Sequence, residues 1–112
     1  MKPIKFVAGA LDDLREFPLP VRRECGYQLD RVQRGLEPAD WKTMPSVGLG
    51  VREIRVRDHT GAFRVIYVAK LADHIYVLHC FQKKSQKTAS TELSIAAKRL
   101  AQVVEQIKEG ER

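Results

Sequence analysis

The chain has 112 residues, 44% apolar and 30% charged, the balance of one ordinary folded domain with a modest core, which makes general disorder an unsuitable description. No apolar run approaches the length of a membrane span, and "FVAGAL" near the start runs straight into Asp12 and Asp13, so no signal peptide and no membrane partner are expected. Five of the six net positive charges fall in residues 52–87, where Arg52, Arg55, Arg57, Arg64, Lys70, Lys83, Lys84 and Lys87 face only Glu53, Asp58 and Asp73.

"KPIKFVA" (2–8) reads as a first strand and "GALDDLREF" (9–17) as a short helix ended by Pro18 and Pro20. From Val21 to Leu36, apolar Val21, Cys25, Leu29, Val32 and Leu36 recur at three- and four-residue spacing. That spacing predicts an amphipathic helix, which forms a helical hairpin with the preceding one. "EPADWKTMPSVGLG" (37–50) holds two prolines and two glycines and is expected to be irregular, with Trp41, Met44, Val47 and Leu49 tacking it to the core. "VREIRVR" (51–57) then alternates, Ile54 and Val56 on one face and Glu53, Arg55 and Arg57 on the other. The turn "DHTG" leads to a second strand, "AFRVIYVAK" (62–70), and "LADH" to a third, "IYVLHCFQ" (75–82). These two are apolar on both faces and are expected to be central and covered by helices. A last helix spans about Ser90 to Lys108, with Leu93, Ala96, Ala97, Leu100, Val103, Val104 and Ile107 on one stripe. The predicted fold is α+β, one domain over residues 1–112. A small twisted, mostly antiparallel sheet carries an N-terminal helical hairpin and a C-terminal helix in the order β-α-α-β-β-β-α.

The local excess of positive charge concentrates polyanions, so nucleic acid or an acidic protein segment is a candidate partner. Arg55 and Arg57 share a strand face about 7 Å apart, near the repeat of a nucleic-acid backbone, and an arginine fork bonds phosphate in pairs. Taken alone, Arg52, Arg55 and Arg57 read as solvated charge that protects an edge strand. Arg64 differs, because apolar neighbours on both sides demand a defined partner for its charge. "FQKKSQKT" (81–88) carries Lys83, Lys84 and Lys87 without an acid; alone it reads as a solvated loop. His59 lies in a turn, His74 starts a strand and His79 reads as a satisfied core histidine. Phe81 is expected in the core, although an exposed ring there would stack a base. Cys25 and Cys80 form no CxxC, and no histidine or cysteine pair has ligand spacing, so neither metal nor other cofactor is expected. Reduced thiols point to the cytoplasm. "GLG" (48–50) is a weak phosphate cradle.

With its strands placed, "VREIRVRDHTGAFRVIYVAKLADHIYVLHCFQKKSQKT" followed by "TELSIAAKRL" resembles the HigB-like, phage-derived branch of the RelE/ParE toxin superfamily. The matching residues include Glu53, Arg55, Phe63, Arg64, Tyr67, His79, Phe81, Lys83, Lys84, Lys87, Thr88, Glu92 and Arg99. Ala89 stands where that family usually has proline. The resemblance implies a type II toxin with a cognate antitoxin, itself expected to carry a helix-turn-helix DNA-binding domain. It also implies a metal-independent endoribonuclease that cuts mRNA in the ribosomal A site through 2′-OH attack. On that footing Arg64, Lys83, Lys84 and Lys87 are the catalytic group, with Arg64 the transition-state clamp, His79 in reserve, and Arg52, Arg55 and Arg57 on the RNA backbone. The three lysines supply phosphate stabilisation and proton transfer. Lys83 and Lys84 point to opposite faces of an extended chain, so at most one shares a phosphate with Arg64. The alternative is a ParE-like toxin that inhibits DNA gyrase by protein contact and cuts no RNA. A plain RNA-binding module is the third.

Overall fold

In the computed structural model, which describes residues 1–110, the chain forms β1 (Ile4–Phe6), α1 (Ala10–Arg15), α2 (Leu19–Gln33), β2 (Trp41–Thr43), β3 (Val51–Asp58), β4 (Gly61–Leu71), β5 (His74–Lys83) and α3 (Ser90–Gly110). The five strands make one sheet in the order β1-β5-β4-β3-β2. β1 runs parallel to β5 and every other pairing is antiparallel.

The residue alternation on the strands builds two cores, one on each side of the sheet. On one side Ile54, Val56, Phe63, Val65, Tyr67 and Val77 meet Leu14 and Phe17 of the first helical segment and Val21, Cys25, Leu29 and Val32 of α2. α1 leans on β5 and α2 on β3 and β4. The two helices are consecutive on one face, as a hairpin requires, but the sheet is the main partner of each. On the other side Val51, Ile66, Val68, Tyr76 and Leu78 meet Ala96 and Val103 of α3, together with Met44 and Val47 of the preceding loop. Of the stripe read on α3, only Ala96 and Val103 are fully buried, because α3 packs along β5 rather than across the sheet centre. That leaves one end of this face uncovered.

Three local features depart from the sequence-based expectation. Trp41–Thr43 is a strand, pairing Trp41 with Ile54, Lys42 with Glu53 and Thr43 with Arg52. Pro38 and Pro45 sit outside it, so every ladder N–H is intact, and bonds from Arg55 N to Asp40 O (2.9 Å) and Met44 N to Val51 O (2.9 Å) extend the pairing. Pro20 opens α2 rather than closing α1: in the first turn its missing N–H has no partner to lose. α2 stops at Gln33, where Gly35 adopts φ +82°. Leu36 N reaches back to Arg31 O and Gly35 N to Val32 O, a Schellman ending that turns Leu36 out to solvent.

β5 carries a bulge. Its ladder with β4 pairs Ile66 with His79 but Tyr67 with Val77, leaving Leu78 as the extra residue. Strict alternation from Ile75 and Val77 would aim Phe81 and Lys83 at α1 and α2. The extra residue reverses the parity, so Phe81 and Lys83 lie on the α3 side, opposite Arg64 and Ala62.

Gly26 and Gly35 offer a paired test, because a Cβ at either meets nothing within 4 Å. Gly35→Ala is expected to destabilise by about 1 kcal/mol through its left-handed backbone. Gly26→Ala, inside α2, is expected to stabilise by about 1 kcal/mol. Urea unfolding of the two variants checks the opposite signs.

Candidate functional site

The register of three strands gathers charge at the uncovered end of the α3 face. One row across the sheet is Lys42, Glu53, Ile66 and His79; the next is Arg55, Arg64 and Phe81; the third is Arg57, Ala62 and Lys83. Glu53 and Arg64 have 0% and 2% of their side chains exposed, and Arg64 Nε stands 3.3 Å from Glu53 Oε1. This is the partner that an arginine among apolar residues requires. Arg64 Nη1 also donates to Phe63 O at 3.0 Å. Glu53 accepts no hydrogen bond in the described structure, so its carboxylate is balanced by charge alone, from Arg64 and from Lys42 Nζ at 4.0 Å. Glu53 thus faces the Nε edge of the guanidinium and Phe63 O engages Nη1, which leaves Nη2 for a ligand.

Beyond Arg64 lies a cleft of about 600 Å³ whose described lining is Arg55, Arg57, Ala62, Arg64, Lys83, Lys84, Ser85 and Gln86. Five of these eight are cationic and none is acidic, while the small Ala62 between Arg57 and Lys83 makes room at the floor. Such a wall is built for an anion with several oxygens. Burial, aided by Arg55 and Arg57, holds the Arg64 pKa below the usual arginine value against the pull of Glu53 and Asp40. Lys83 is also lowered, first by loss of water and then by Arg64, Lys42 and Arg55, with Glu53 opposing. A lysine eased toward its neutral form beside a fixed arginine can exchange a proton as well as carry charge.

The other expected residues divide. Lys84, exposed and just past β5, reaches the rim of the cleft. Lys87 lines a neighbouring groove instead, with Lys42 and Lys83. Arg52 lies on the opposite face from Arg55 and Arg57: its guanidinium sits 4.0 Å over the Trp41 ring and 3.9 Å from Glu37. The structure does not bring it to the arginine row. His79 is buried outside the cleft, its Nε2 3.3 Å from Glu92 and its Nδ1 3.5 Å from Asp13. Arg99 joins them, bonding Asp13 at 3.3 Å and Leu78 O at 3.0 Å. Phe81 is buried and stacked on His79 at 5.2 Å, so it presents no face to a base. Gly48 of the "GLG" loop packs against Leu100 of α3. Burial pushes both thiols up, Cys25 to about 12, which removes them as nucleophiles. Among the described residues no group of three or more His, Cys, Asp or Glu is placed to hold a metal ion.

Lys42, Ser85 and Gln86 are the residues that sequence reasoning did not assign to a site. Lys42 was legible only through "WKT", whose alternation is too short to stand out; Glu53 was legible as the one acid on the arginine face of its strand.

A family model described as "Phage derived protein Gp49-like (DUF891)" matches residues 12–101. No curated protein matches the chain. Among solved structures, the E. coli toxin RelE, as a double arginine-to-alanine mutant in the free state, superposes with a TM-score of 0.68 at 19% identity, over 88% of this chain and 96% of that one. At that identity the likeness is one of fold.

Removing either partner of the buried pair leaves the other's buried charge poorly compensated, with only the more distant Lys42 opposite Glu53 when Arg64 is lost. Arg64→Ala is expected to cost about 3 kcal/mol in urea unfolding, and the double variant Arg64→Met/Glu53→Leu to recover most of it. An Arg64→Ala protein as stable as the parent would show that the pair is not electrostatically coupled.

Proposed function

The chain belongs to the phage-derived Gp49-like family, and from that premise we propose that it is a RelE-type toxin of the HigB-like branch, a single-domain endoribonuclease that cuts mRNA in the ribosomal A site. It needs no metal, acts in the cytoplasm and is neutralised by a cognate antitoxin. The observation that carries this is the acid-free cleft in which a buried, charge-locked Arg64 stands beside Lys83.

The chemistry is attack of a ribose 2′-oxygen on the adjacent phosphorus. The bond from phosphorus to the 5′-oxygen of the next nucleotide breaks, the 2′-OH proton leaves to a base, and the 5′-oxygen takes up a proton. The products are a 2′,3′-cyclic phosphate and a 5′-OH. No covalent enzyme intermediate is required, so catalysis reduces to positioning, charge and proton transfer. Arg64 is suited to the non-bridging oxygens, where negative charge grows, because its fork is already fixed and loses little freedom on binding. Arg55 and Arg57 flank it on the next strand and suit the adjoining backbone. Lys83, lowered in pKa and on the same face, is the residue to receive the 2′-OH proton. Lys84 at the rim and Lys87 beyond it add positive charge around the strand. Arg52, committed to Trp41 and Glu37, supports the sheet in this account.

The test is a reconstituted translation reaction in which new mRNA 5′ ends are mapped. Ends within the A-site codon are expected; intact mRNA with inhibited gyrase supercoiling would overturn the proposal in favour of a ParE-like action. In the same assay Arg64→Lys keeps the buried charge but loses the fork, and is expected to slow cleavage roughly a hundredfold while the protein stays folded. The single-turnover rate is expected to climb with pH as Lys83 loses its proton, levelling at its lowered pKa, and Lys83→Ala to abolish that climb.

A further inference from the structure

On the far side of Lys83 from the cleft lies a second groove of about 360 Å³. Lys42, Lys83 and Lys87 form its cationic rim, Met44, Pro45 and Leu93 its apolar lining, and Thr43, Ser46, Gln86 and Thr88 add polar groups. None of these is acidic. The groove shares Lys83 and Gln86 with the cleft, so the two form one continuous track across the end of the sheet.

We propose that this groove is a second single-stranded RNA subsite, holding the nucleotide next to the cut phosphate, with Lys42 contacting that nucleotide's outer phosphate, which a two-mer lacks. The inference rests on the RNA-cleaving reading of the cleft and extends it to substrate recognition. Lys42 is half exposed on the edge strand β2, and its 4.0 Å separation from Glu53 is beyond hydrogen-bonding distance, which leaves its three donors available. Thr88 Oγ1 is buried and unpartnered among the described residues, a further polar group at the same wall. Cations along a rim with an apolar wall between them suit a strand whose phosphates meet the charge and whose base meets the apolar surface. Continuity with the cleft favours the same strand over a separate acidic peptide.

Binding of uncleavable 2′-O-methyl RNA oligonucleotides of two and five nucleotides, measured by fluorescence anisotropy across a salt series, tests this on the full chain. The parent protein is expected to bind the five-mer more tightly. Lys42→Ala is expected to lose roughly tenfold on the five-mer and nothing on the two-mer, with a salt slope shallower by about 0.7, and Lys42→Arg to restore both. Equal loss on both lengths would mean that Lys42 acts through Glu53 and Arg64, and overturns the subsite. So does unchanged binding, a parent protein indifferent to length, or a Lys42→Ala defect confined to an antitoxin. Length-dependent binding that requires Lys42, in a protein that cleaves no mRNA, would sustain the subsite and defeat the nuclease.

Discussion

The uncovered end of the sheet depends on one buried ion pair. Arg64 and Glu53 stand 3.3 Å apart with almost no solvent contact, and two apolar residues of similar volume would fill that space without desolvating any charge. The contribution of the pair is therefore better sought in the charge it presents than in stability. Glu53 engages the inner edge of the guanidinium and Phe63 O a second position, so the rotamer is settled before anything binds. A cation fixed in this way needs little reorganisation when negative charge develops beside it. Arg55, Arg57 and Lys83 then share a field whose one buried counter-charge is spent on Arg64, and burial first, then that crowding, lowers the pKa values of Arg64 and Lys83.

The second constraint is the bulge at Leu78. It reverses the facing of the last five residues of β5 and brings Lys83 to Arg64's side. It is also where α1, β5 and α3 are tied together. Arg99 bonds the Leu78 carbonyl and Asp13, and His79 lies between Asp13 and Glu92. A bulge exposes backbone groups that the ladder no longer satisfies, and Arg99 from α3 supplies a donor for one of them. The polar residues around His79 thus serve the geometry of the cleft from outside it. In the proposed reaction proton transfer is assigned to Lys83, which lines the cleft as His79 does not.

Much of this was legible in the chain. Alternation in "VREIRVR" separates Ile54 and Val56 from Glu53, Arg55 and Arg57, and the structure keeps that division. Arg64 among apolar neighbours announced a buried partner, and Glu53 is the acid on the matching face. The sheet, its helices and their order follow from periodicity and turn residues. What was hidden depends on contacts between distant segments. A three-residue strand has too few alternations to signal itself, so β2 and Lys42 emerged only through pairing with β3. A one-residue bulge leaves no mark in composition, so the lysine that shares Arg64's face could not be chosen from "FQKK". Arg52 obeys the same alternation as its neighbours but falls on the even face, where Trp41 receives it.

The chemistry of the cut ends distinguishes 2′-OH attack from every other route most directly. A message carrying a single 2′-deoxynucleotide at the cleaved position in the A-site codon should survive intact, while its all-ribose counterpart yields fragments ending in 2′,3′-cyclic phosphate and 5′-OH. Cleavage that ignores the missing 2′-oxygen, or fragments with a 5′-phosphate, would contradict it.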